Sequence, residues 1–169
     1  SYVDWYHILL EKNLQSVSSY QDMGMTDISA MGFVRRVSGM HDLSNLFFIL
    51  PAGLLMLLPL VRISKWDEVS FQLSYLAQGL IGVVIFSTSA ESPTYVIAVV
   101  GFAIWYVLYA PTHSNWMYFL LLFVLVLTVF SPTDIFPRYL RLEYVIRYSL
   151  KALPCFLAWL IITYQLLVS

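Results

Sequence analysis

Residues 69–110 read "VSFQLSYLAQGLIGVVIFSTSAESPTYVIAVVGFAIWYVLYA". Two long apolar runs flank a short polar stretch. Glu91 is the only Asp, Glu, Lys or Arg from Val69 through Thr133. A helix crossing a bilayer takes about 20 apolar residues, with roughly 17 to 25 usual. Both runs approach that length, so this stretch predicts paired apolar helices joined by a polar loop.

The rest of the chain repeats the pattern. Of its 169 residues, 60% are hydrophobic and 11% charged. A soluble domain is nearer half apolar and about a quarter charged. The excess is more than one core buries and reads as a membrane protein. Further apolar runs lie near Leu43–Val61, Trp116–Phe130 and Tyr148–Val168, beside Val69–Thr88 and Thr94–Ala110. The expected fold is therefore all-α, a polytopic transmembrane bundle with about five spans (near 43–61, 69–88, 94–110, 116–130 and 148–168). Residues 1–42 form a polar juxtamembrane segment ahead of a helical domain over 43–169. Within it, "SYVDWYHILLEKNLQSVS" (1–18) reads either as an amphipathic helix on the membrane surface or as a helix packed on the protein. The chain begins with Ser1 and shows no secretory pattern, so we expect a piece of a longer protein.

Punctuation supports this division. Pro93, Pro111, Pro132 and Pro137 fall at run boundaries, where a missing N–H is least harmful, while Pro51 and Pro59 predict a bend in the first run. Gln72, Ser74, Gln78 and Gly79 recur at near-helical spacing and suit a helix packed against neighbours. Trp66, Tyr106, Tyr109, Trp116, Tyr118 and Tyr148 gather at run ends, as interfacial aromatics do.

Several chemistries are excluded. The lone Cys155 allows neither an internal disulfide nor a Cys-rich metal site, and reads as a packing residue. His7, His41 and His113 are scattered. No DxD pair, glycine-rich phosphate loop or nucleophile elbow occurs. A net charge of −1 gives no nucleic-acid signature. No cofactor or metal is expected.

With five spans, the segments 19–36, 87–95 and 131–144 share one side. They bring Asp22, Asp27, Arg35, Arg36, Glu91, Asp134, Arg138 and Arg141 to one face. Seven basic residues (Lys12, Arg35, Arg36, Arg138, Arg141, Arg147, Lys151) fall on that side, and two (Arg62, Lys65) on the other. The positive-inside rule would make the richer side cytoplasmic.

The motifs "NLQSVSSYQDMGMTDISAMGFVRRVSG" (13–39), "STSAESPTY" (87–95) and "SPTDIFPRYLRLEYVIRYSLKALPC" (131–155) resemble the C-terminal part of a bacterial mannosyltransferase-like family. That family is glycosyltransferase family 87 of the GT-C superfamily, and the likeness covers nearly the whole chain. It implies an integral enzyme of the bacterial inner (plasma) membrane. Such an enzyme moves a sugar, typically mannose, from a polyprenyl-phosphate donor to a lipid or glycan acceptor on the extracytoplasmic side. That sidedness opposes the basic-residue count. Partners implied are the donor, the acceptor and membrane lipids, with no nucleic acid. Many members carry a Trp and His pair near the second motif, where this chain has Glu91, Thr94 and Tyr95. The catalytic base of the superfamily belongs to an early loop, so it is expected outside these residues.

The substrate-binding candidates are Gln21, Asp22, Glu91, Tyr95, Asp134, Arg138 and Arg141. Glu91 and Tyr95 suit sugar hydroxyls, but a carboxylate is also at home where a helix begins. Arg138 and Arg141 match phosphate oxygens with planar donor forks, or else pair with Asp134, Glu143 or lipid headgroups. Asp22 suits capping as well as an acceptor. Arg35 and Arg36 read as interface anchors, and Arg147 with Lys151 as an anchored helix end. The alternatives to transfer are a transporter or flippase, for which Gln72, Gln78, Gly79 and Gly82 speak, a polymerase of lipid-linked sugars, and a non-catalytic membrane subunit.

Overall fold

A computed structural model describes residues 4, 28–39, 44–87, 92–109, 115–131, 133, 137, 139, 144–145 and 148–168. The regular structure of the described residues is all helical. Six α-helices follow in order: α1 Ala30–Ser38, α2 Leu46–Leu57, α3 Val69–Ile85, α4 Tyr95–Leu108, α5 Asn115–Val124 and α6 Ala152–Val168.

Local chemistry sets their ends. The Ser29 hydroxyl accepts from the Gly32 N–H at 3.1 Å and caps α1. Gly39 closes that helix in the left-handed region at φ 71°, where a side chain would be strained. The α2 helix runs through Pro51 and passes at Leu58–Val61 into a 3-10 turn that holds Pro59. A second 3-10 turn, Ile63–Lys65, leads towards α3. The α5 helix loosens into a π-helical stretch over Leu125–Phe130.

These interruptions correct the expected architecture. No helix among the described residues is long and apolar enough to cross a membrane, against the polytopic bundle of five spans. The longest, α3 and α6, have 17 residues each. At 1.5 Å per residue, such a helix reaches about 26 Å, short of a hydrocarbon core about 30 Å thick. The first apolar run is cut by the turn at Leu58–Val61, the fourth by the π stretch, and the last helix begins at Ala152 rather than Tyr148.

The core lies where α3, α4 and α6 meet. Small residues let these helices approach closely. A β-carbon on Gly101 of α4 would stand 2.9 Å from the Ala77 carbonyl oxygen of α3. Trp105, Trp159, Phe102 and Ile81 fill the space around this contact and are almost fully buried. Polar groups also cross the seam. The Gln78 amide donates to Thr163 Oγ1 at 2.8 Å, and the Thr163 hydroxyl donates to the Trp159 carbonyl at 2.7 Å. The outer faces are apolar too: on α2, Phe47, Leu50 and Leu54 are 72%, 63% and 65% exposed.

Candidate functional site

The end of the bundle where α4 and α6 begin gathers polar groups from distant segments. Tyr95 opens α4 and is 1% exposed. Its hydroxyl donates to the Ile28 carbonyl, just before the Ser29 cap of α1. The guanidinium of Arg36, in the last turn of α1, donates from Nη1 to the Ser149 hydroxyl. Ser149 holds the left-handed region at φ 51°, uncommon for a residue with a β-carbon. It belongs to the tight turn that leads into α6.

That turn delivers Lys151 inward. Lys151 is only 4% exposed, and its ammonium lies 4.9 Å from the centre of the Tyr95 ring. A cation at this range is attracted to the negative face of an aromatic ring. Burial pulls the Lys151 ammonium down to about 8, and the Cys155 thiol one turn along opposes the shift. Cys155 itself is pushed up to about 11 by burial, with the Thr128 hydroxyl and Lys151 acting against the rise. Thr128 donates to the Lys151 carbonyl at 3.1 Å and so ties the π stretch to the start of α6.

Beside these groups lies a cavity of about 200 Å³. Val96, Val99, Val100 and Val129 make it apolar, and Tyr95, Thr128 and Lys151 give it one polar wall. At neutral pH, about one unit below its pKa, Lys151 is mostly protonated. The arrangement holds a positive charge at the edge of an apolar space. Chemically this suits an anionic group carried on an apolar chain.

Of the residues singled out from the sequence, Tyr95 is in this site. Gln21, Asp22, Glu91, Asp134, Arg138 and Arg141 lie outside the described residues. Arg36 reaches the same end through Ser149, whereas Arg35 donates to the Asn45 side chain ahead of α2. Lys151, read from the sequence with Arg147 as an anchored helix end, is buried. Sequence reasoning missed its role, along with those of Thr128 and Ser149. A lysine four residues before a cysteine in an apolar run was the available signal. No cluster of His, Cys, Asp or Glu able to hold a metal occurs among the described residues. Set against known protein families, characterised proteins and solved structures, the chain matches none.

Proposed function

We propose that this chain is the lipid-contacting part of a membrane-bound enzyme that transfers a sugar, mannose first among the candidates, from a polyprenyl-phosphate donor to a lipid or glycan acceptor. The observation that carries the proposal is the buried Lys151 ammonium against Tyr95, at the edge of an apolar cavity where α1, α4 and α6 converge. The sugar class is supported by the sequence motifs alone. Lipid contact is supported by the exposed apolar faces of α2 and α4, where Val96 and Val107 are 65% and 70% exposed. Neither support requires a described helix to cross the bilayer.

In this mechanism an acceptor hydroxyl, deprotonated by a base elsewhere in the protein, attacks the anomeric carbon. A new C–O bond forms there. The bond from that carbon to the phosphate oxygen breaks, and its electron pair leaves with the polyprenyl phosphate. Negative charge grows on the phosphate as the bond breaks. A fixed ammonium in a water-poor site stabilises that charge more than bulk water does. Tyr95 holds the ammonium by its ring and the start of α1 by its hydroxyl.

The test uses membranes containing the full-length protein and radiolabelled polyprenyl-phosphate hexoses. Label should pass to lipid or glycan. Lys151→Met should lower turnover about 100- to 1,000-fold at equal protein level, the usual effect of removing one donor to a developing anion. Unchanged turnover in the variant removes Lys151 from the mechanism. No transfer by the wild type from any polyprenyl-phosphate hexose overturns the proposed function.

A further inference from the structure

The wall of the cavity beside Lys151 includes part of the π-helical stretch Leu125–Phe130, through Thr128 and Val129. A π turn is rare and occurs mostly as a single turn inserted in an α-helix, often at a functional site. Residues 116–130 read "WMYFLLLFVLVLTVF", with hydroxyls only at Tyr118 and Thr128 and no charge. Apolar chemistry on every side does not fix which face of such a segment points inward. Thr128 does: it is 2% exposed, donates to the Lys151 carbonyl at 3.1 Å and lies 3.8 Å from Cys155 Sγ.

The backbone accepts a second register equally well. In π geometry each carbonyl looks to the N–H five residues on. For Leu127 that residue is Pro132, which has no N–H. The Ser131 hydroxyl donates to the Leu127 carbonyl instead. In α geometry the same carbonyl would take the Ser131 N–H directly, so tightening the stretch orphans nothing there. At 3.6 residues per turn, one residue corresponds to about 100°. Removing the extra residue of the π turn would therefore bring Phe130 round to the inward position that Ser131 now holds. Ser131 is 2% exposed and Phe130 43%, so the two registers bury different residues.

We infer that Leu125–Phe130 is a register switch: pinned by Thr128 it is π-helical and walls the apolar cavity, and released it tightens to α geometry, burying Phe130, exposing Ser131 and dismantling that wall. An occupant of the cavity favours the π register, because the cavity belongs to it. The stretch leads directly into 131–144, the motif that carries Asp134, Arg138 and Arg141. Filling the cavity thus sets the face from which that motif departs. The inference deepens the sugar-transfer reading by giving its site a conformational control, but the switch is measured without any transfer.

The experiment is N-ethylmaleimide labelling of the full chain in detergent, with single cysteines introduced as Phe130→Cys or Ser131→Cys. Cys155, the chain's only cysteine and fully buried, stays in place as the monitor of general loosening. Mass spectrometry separates its label from that of the introduced thiol. The thiol at 130 should label faster than the thiol at 131. Thr128→Val, which keeps the shape and removes the hydroxyl, should lower the 130-to-131 rate ratio about fivefold to tenfold, the weight of one hydrogen bond. The thiol at 130 should slow while that at 131 quickens. Thr128→Ser should keep the wild-type ratio and serves as the folded control. Faster labelling at 130, 131 and 155 together would mean loosening without a switch and overturn the inference, as would an unchanged ratio in Thr128→Val. Farnesyl phosphate should raise the ratio in the chain that keeps Thr128. A reversal in Thr128→Val without a response to farnesyl phosphate would support the switch and count against a prenyl phosphate as the occupant of the cavity.

Discussion

The two ends of the bundle each hold a lysine, and they treat it in opposite ways. Lys151 is buried against the Tyr95 ring, while the Lys65 side chain keeps 33% of its surface and meets Glu68 in the open. The difference lies in the chain that delivers each residue. Lys65 closes a 3-10 turn ahead of α3 and keeps a third of its side chain in water. Lys151 follows Ser149, whose left-handed backbone turns the chain inward just before α6. A cation taken from water is held for its charge; a cation left in water with a carboxylate mainly lends hydrogen-bonding capacity. One end is therefore suited to an anion on an apolar chain, whereas the other presents water with a pair whose charges cancel.

Both ends depend on the same tight pair of helices, so the largest expected effect comes from parting them. Gly101→Val places a branched side chain where even a β-carbon would meet the Ala77 carbonyl oxygen at 2.9 Å. Backbone cannot yield as a flexible side chain does. The loss should be about 3 kcal/mol, the upper part of the usual range for overpacking. Gly79→Ala is the contrast, because nothing lies within 4 Å of its β-carbon position. It should stabilise α3 by roughly 0.5–1 kcal/mol. Denaturant titration in detergent measures both, and equal effects would show that the close approach is not what joins the two ends.

Next comes the pH dependence of the buried end. The Lys151 pKa falls from 10.5 to about 8 on folding. Between those values the unfolded chain carries more protons on Lys151 than the folded one, so Lys151 raises stability as pH rises. Cys155, raised from 9.0 to about 11 by burial, acts the other way above about pH 9 and offsets it there. The net rise therefore falls between about pH 8 and 9, roughly 1 kcal/mol at 1.36 kcal/mol per pKa unit. Lys151→Met should remove that rise and leave a fall above about pH 9. A wild-type curve with no upward slope between about pH 8 and 9 would mean that the ammonium is as well solvated folded as unfolded.

Tyr95→Phe sharpens the same end by keeping the ring against Lys151 while removing the hydroxyl from the Ile28 carbonyl. The expected loss is about 1 kcal/mol, that of one hydrogen bond. The pH curve should keep its shape. A changed slope would show that the hydroxyl, rather than the ring, sets the environment of the ammonium.

The sequence made the helices easy to place and their lengths hard to read. Apolar runs fall where α2 to α6 occur, because burial demands apolar residues whatever surrounds them. Nothing in composition marks where Leu125–Phe130 slackens into π geometry or where the chain tightens into 3-10 at Leu58. Those changes follow from packing between distant segments, and they shorten helices that the sequence read as spans. The site divides in the same way. Tyr95 is legible as the end of the 87–95 motif that carries the family resemblance, just where an apolar run begins. Lys151 did not, because Arg147 and Lys151 lie four apart and look like one helical face. Residues 148–151 are instead a turn, and only the fold shows that it carries Lys151 beneath an aromatic ring. Ser74 was legible only as part of a polar spacing on α3, not as a buried hydroxyl without a hydrogen-bond partner among the described residues.

The smallest expected effect belongs to the open end. The Lys65–Glu68 pair is spaced i,i+3, and its side chains are 33% and 52% exposed. Water screens such a pair, and ordering two long side chains offsets most of the attraction. Lys65→Ala should therefore lower stability by less than about 1 kcal/mol, and by less still at high salt, where the screening length shrinks to about 3 Å at 1 M. Thermal melts at low and high salt measure both. A loss above about 2 kcal/mol, insensitive to salt, would mean that the pair is shielded from water in the assembled protein. The two lysines would then share one kind of environment.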